Sequence, residues 1–136
     1  MHLSVLFLCI SQIFFTNATK FWINQKFTCK LQKHWELSVR YYEWDLTTDN
    51  EDVFEIRRTK VHNKMAIVKT GFVYSEGDGV GDNYYEMKMY LTHTCTDTGK
   101  QSFIDYKLGD FPVDDREASI EGTYQLDTYC RADICS

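Results

Sequence analysis

Residues 84–91 read Tyr-Tyr-Glu-Met-Lys-Met-Tyr-Leu (YYEMKMYL), and this stretch decides the fold. Tyr85, Met87, Met89 and Leu91 fall on one face; Tyr84, Glu86, Lys88 and Tyr90 fall on the other. Successive strand side chains point to opposite faces, so the stretch predicts a strand with an apolar face toward a core. The same period recurs along the chain. Ile23, Phe27, Cys29 and Leu31 alternate with Asn24, Lys26, Thr28 and Lys30. Leu37, Val39 and Tyr41 alternate with Ser38, Arg40 and Tyr42, and Ile104, Tyr106 and Leu108 with Phe103, Asp105 and Lys107. Tyr124 and Leu126 alternate with Gln125 and Asp127 at the start of a last strand expected over 124–129. Residues 53–61 and 64–74 are rich in β-branched and aromatic side chains but alternate less cleanly. A 3.6-residue repeat is missing throughout, and residues 114–119 (DDREAS) suit one helical turn at most.

The segments between these runs are 45–52, 62–63, 76–83, 96–100 and 111–121. Each is polar or carries Gly, Asn, Asp or Pro, residues that make turns for definite backbone reasons. Seven short strands so punctuated predict an all-β, antiparallel β-sandwich, with a closed barrel as the competing architecture.

The N-terminus carries an apolar run at 3–15, with no Lys, Arg, Asp or Glu before Lys20. That run is shorter than the ~20 residues of a membrane span and suits a secretory signal core with cleavage after Ala18. An uncleaved anchor is the alternative, favoured by the lack of an N-terminal Lys or Arg. The expected division is a signal peptide at 1–18 and one sandwich domain at 19–136, secreted and with no transmembrane segment after signal removal. Cys9 leaves with the signal. Cys29, Cys95, Cys130 and Cys135 remain, an even number that reads as two disulfides in an oxidising compartment, with three connectivities open. Cleavage after Ala18 also splits the one sequon, Asn17-Ala18-Thr19.

The formal net charge of −5 argues against a nucleic-acid partner. Cofactor, metal and catalytic residues are not expected. The chain has no Cys-x-x-Cys and no Gly-x-Ser-x-Gly. His34, His62 and His93 are expected beside turns or near a strand end, solvated, with nothing in their spacing to bring them together on a metal. Glu76, Asp78 and Asp82 in the glycine-rich loop 76–83 (EGDGVGDN) read as a solvated hairpin, with calcium binding left open. Arg57, Arg58, Lys60 and Lys64 gather around one turn (RRTKVHNK), a candidate binding turn for an acidic partner or anionic lipid, against the plainer reading of a solvated face. Tyr42, Trp44, Tyr84 and Tyr90 lie on polar faces and could serve as binding anchors.

Three stretches resemble the transthyretin-like family of secreted nematode proteins. They are Phe27-Thr28-Cys29 followed by the acidic-ended 39–45 (VRYYEWD), then 87–95 (MKMYLTHTC) with Asp97 and Gly99 behind it, then 103–112 ahead of a last strand and a C-terminal cysteine. The resemblance implies a Greek-key, immunoglobulin-like sandwich of seven or eight strands. It also implies a non-enzymatic, extracellular binding protein that contacts cell surfaces, anionic lipid or a protein partner. A carrier of a small hydrophobic ligand or lipid is the alternative. A hydroxyisourate-hydrolase-like enzyme is more remote: residues 22–31 hold no histidine, and 129–136 (YCRADICS) replaces the Tyr-Arg-Gly-Ser ending of those enzymes.

Overall fold

The computed structural model describes residues 18–44, 51–75 and 83–129. The apolar N-terminal run, Asn17 of the sequon, the acidic loop at 76–82, Cys130 and Cys135 lie outside the described residues.

Among the described residues, seven strands form two facing sheets. They are β1 Thr19–Thr28, β2 Trp35–Glu43, β3 Glu51–Val61, β4 Met65–Tyr74, β5 Tyr84–His93, β6 Ser102–Pro112 and β7 Glu117–Gln125, followed by a single helical turn, α1 Leu126–Tyr129. One sheet runs β4-β1-β7 and the other β3-β2-β5-β6. All pairings are antiparallel except β1 with β7, which is parallel. The all-β sandwich expected from the two-residue period is what forms.

The core lies where the inner faces meet. Phe21 stacks on Phe72 at 5.2 Å and meets Tyr85 and Phe111 edge-on at 6.0 and 5.4 Å. Phe27 stacks on Tyr124 at 5.2 Å. Such ring pairs each add about 0.5–1.5 kcal/mol beyond their buried area. Gln25 occupies the inner position between Ile23 and Phe27. The Tyr41 hydroxyl donates to its Oε1, and its Nε2 donates to the Tyr124 hydroxyl at 3.2 Å. This relay satisfies polar groups that would otherwise be orphaned in the core, and through Tyr41 it joins the two sheets. Burial pushes the Tyr41 hydroxyl pKa up, with the nearby Tyr124 adding to the shift.

The irregular alternation of β3 has a geometric cause. Val39 faces Ile56 and Leu37 faces Thr59, so one extra β3 residue is absorbed opposite Ser38. A second register shift lies between Tyr41 and Tyr42. A bulge of this kind interrupts the alternation, so no strict period is visible in 53–61. β6 behaves alike: Lys88 faces Lys107 and Met87 faces Gly109, leaving Leu108 as the extra residue. Gly109 takes φ 151°, a value that glycine adopts readily. Ile104 and Leu108 both pack half-buried against the core, so the expected alternation holds up to the bulge and is lost only beyond it.

The last strand differs from its expected place. Residues 111–121 were expected to separate strands and 124–129 to form one; instead β6 extends to Pro112, β7 begins at Glu117, and 126–129 form the helical turn. The helical turn expected at 114–119 is absent, and Glu117–Ser119 pair with Lys20–Trp22. Leu31, expected inside, is exposed beyond the end of β1.

Candidate functional site

Three loops at one end of the sandwich are tied together. The β1–β2 loop begins at Cys29, whose sulfur bonds to Cys95 after β5. In the same loop Gln32 Nε2 donates to the Thr96 carbonyl at 2.8 Å. On the other side Cys29 N donates to the Lys64 carbonyl at 2.9 Å, and Trp35 Nε1 donates to the Asn63 carbonyl at 2.8 Å. The β1–β2 loop is thus anchored to both the β5–β6 loop and the β3–β4 turn. Of the four expected disulfide cysteines, Cys29 and Cys95 are paired; Cys130 and Cys135 fall outside the described residues.

This anchoring brings two histidines together. His34 and His62 place their Nδ1 atoms 3.3 Å apart, with rings edge-to-face at 5.4 Å. Their spacing in the chain gave no sign of it, because the contact depends on the β2–β3 register. They border an open cleft of about 420 Å³ whose other walls include Trp35, Glu36, Arg58 and Lys60. A smaller cleft of about 170 Å³, reached across Glu36 and Arg58, adds Ser38, Thr92, His93 and Gln101.

The four cations of the expected binding turn are not equivalent. Arg58 directs Nε and Nη2 to one carboxylate oxygen of Glu36, so its charge is already matched. Arg57 is paired with Glu55 at 3.6 Å and projects into solvent. Lys60 and Lys64 have no acidic partner among the described residues. Lys60 lines the cleft; Lys64 sits at the turn that receives the Cys29 amide. The unmatched positive charge is therefore carried by Lys60 in the wall of the histidine cleft and by Lys64 at the turn that follows His62.

Two of the hydroxyls near these clefts are already engaged. Thr94 Oγ1 accepts from Glu36 N at 2.9 Å, and Ser38 Oγ donates to the Ile56 carbonyl at 3.2 Å. No three His, Cys, Asp or Glu side chains converge to hold a metal among the described residues, and two histidines fall short of the three or four ligands of a zinc site. What the cleft offers is a set of cationic and imidazole hydrogen-bonding groups suited to an anionic group.

His93 is not the solvated residue expected. It continues the inner row Tyr85, Met87, Met89 and Leu91, is 1% exposed, and neither ring nitrogen has a hydrogen-bond partner. Burial pushes its pKa down to about 4. The two-residue period of β5, carried one step past Leu91, leads to this inner position.

The aromatic anchors expected on polar faces are largely covered. Tyr42 is buried and donates to Asp105 at 2.8 Å; burial, then that bond, push its pKa up to about 12. The Arg40 guanidinium lies 5.6 Å from the Tyr42 ring and 5.4 Å from that of Tyr90, and Lys88 sits 4.0 Å over Trp44. Tyr84 stays exposed.

A family model described as "Caenorhabditis elegans protein of unknown function (DUF870)" matches residues 24–133. No curated protein and no solved structure matches the chain. The chain belongs to that nematode family.

Proposed function

We propose that this family member is a secreted, non-catalytic, transthyretin-like binding protein that takes an acidic group of an extracellular partner in the His34–His62 cleft. Support for the transthyretin-like part comes from seven strands in two sheets, the number that the resemblance implies. Support for secretion comes from the uncharged apolar run at 3–15 and from a disulfide, which persists in oxidising compartments. The observation that carries the binding site is the pair of unmatched cations, Lys60 and Lys64, beside two histidines on three cross-linked loops. Binding residues concentrate on loops held by a rigid scaffold, and these loops are held by a covalent bond and three hydrogen bonds.

Calorimetric titration of the oxidised protein with a poly-glutamate peptide at low salt tests this. Saturable binding is expected, weakening as salt rises. The double variant K60S/K64S should bind on the order of tenfold more weakly, as exposed ion pairs are worth about 1 kcal/mol or less each. A wild-type protein that ignores the peptide, or a variant that binds it equally well, overturns the reading.

A further inference from the structure

We propose that the β4–β1 half of the three-stranded sheet is a docking face for a bilayer containing anionic lipid. This face lies apart from the cleft and does not depend on it.

The outer positions of the sheet run in rows set by the register. Val73, Lys20 and Glu117 form one row; Gly71, Trp22 and Ser119 the next; then Lys69, Asn24 and Glu121; then Ile67, Lys26 and Thr123; and Met65, Thr28 and Gln125 close the face. The apolar members are open to solvent: Val73 is 64% exposed, Ile67 60%, Trp22 44% and Met65 41%. A sheet face normally carries polar side chains where it meets water. Large apolar side chains gathered on one exposed face mark an interaction surface.

Charge selects the occupant. The chain holds 20 Asp and Glu against 15 Lys and Arg, yet β1 and β4 contain no Asp or Glu at all. Their outward charges are Lys20, Lys26 and Lys69, and the carboxylates of this face, Glu117 and Glu121, are confined to β7. A second copy of the same face would set lysines against lysines, which opposes self-association. A lipid surface suits the pattern. Lysines interleaved with Ile67, Val73 and Trp22 can hold their ammonium groups at phosphates while their aliphatic stems and the apolar neighbours enter the headgroup boundary. Tryptophan favours that boundary.

Trp22 is set in place for this role. Its ring lies over Gly71, where a Cβ would come 2.9 Å from Trp22 Cε3, and the Lys20 ammonium sits 3.8 Å from the ring centroid. The bare glycine lets the indole lie along the sheet face, and the ammonium beside it brings the cation next to the apolar surface.

Co-sedimentation with phosphatidylcholine vesicles, with and without about 30 mol% phosphatidylserine, tests the proposal at about 20 mM salt. Binding is expected to the anionic vesicles alone. Brominated lipid should quench tryptophan fluorescence in the wild type and much less in W22F. K26S/K69S should bind on the order of 25-fold more weakly, about fivefold per lysine. I67S/V73S should lose binding with an unchanged far-UV CD spectrum. K60S/K64S, which disables the cleft, should bind vesicles like the wild type. The proposal is overturned if the wild type ignores anionic vesicles, if K26S/K69S and I67S/V73S bind unchanged, or if light scattering shows a dimer that I67S/V73S dissolves. Vesicle binding lost only in K60S/K64S overturns it too, while leaving the cleft reading standing.

Discussion

Replacing His93 by Leu should make the protein more stable, and the gain should grow as the pH falls. In the native state burial holds the His93 pKa near 4, against 6.5 for an ordinary histidine. Between those two values the unfolded chain binds a proton that the folded chain refuses. Stability therefore drops as pH falls from about 6.5 toward 4, at up to about 1.36 kcal/mol per unit. Going from about pH 7.5 to 4.5, this one side chain removes about 2.5 kcal/mol, a sizeable share of the ~5–15 kcal/mol typical of a whole domain. At neutral pH the imidazole still costs stability, because both its nitrogens are buried without partners. An unsatisfied buried polar group costs about 1–3 kcal/mol, so H93L, which fills nearly the same volume with carbon, should gain about that much at pH 7.5. Urea titrations followed by tryptophan fluorescence, on wild type and H93L at both pH values with the disulfide intact, measure the difference. Carboxylates contribute alike to both proteins and cancel. If H93L loses as much stability on acidification as the wild type, or is the less stable protein at pH 7.5, the description of His93 as a buried, unpartnered, neutral ring is wrong.

C29A/C95A opens a loop with a sequence separation of 66 residues and should cost about 4 kcal/mol on the chain-entropy relation, read as a lower urea midpoint. A midpoint matching the wild type would show that the hydrogen bonds around Gln32 and Trp35 hold the loops alone. Q25A strands the Tyr41 hydroxyl in the core and should cost about 1–3 kcal/mol, whereas adding Y41F to Q25A should recover part of the loss; a double variant no better than Q25A removes the relay from the account.

The strands easiest to read were those with one wet and one dry face. β5 shows it best: Tyr85 to Leu91 point inward at every second residue, and the row runs on to His93. β3 was harder because it absorbs extra residues, opposite Ser38 and at the step from Tyr41 to Tyr42, and a bulge shifts a two-residue period out of phase. β7 was misplaced because its inward residues before Tyr124 include Ala118 and Gly122, too small to make an apolar stripe, while Glu117 and Glu121 point out and read as loop. The basic turn was visible as composition. Which of its cations are already matched was not, since Arg58 meets Glu36 across two strands. The His34–His62 contact was equally invisible, because it joins residues 28 apart through a loop and a turn. The outer face of β1 and β4 shows in the sequence as two strands without a carboxylate, but only their pairing places Trp22, Ile67 and Val73 on one surface.

The parallel pairing of β1 with β7 sets an order on synthesis. Trp22 pairs with Ser119, so β1 waits for a strand almost a hundred residues later. At about 5–20 residues per second, that wait lasts roughly 5–20 seconds. β4 arrives sooner and covers one side of β1, and the other side stays bare until β7 has been made. A nascent chain in that state can capture the β7 of a neighbour on the same message, exchanging the strand between copies. Chains stalled or cut short before Glu117 would keep that edge open for good, which makes β7 the strand that seals the sheet.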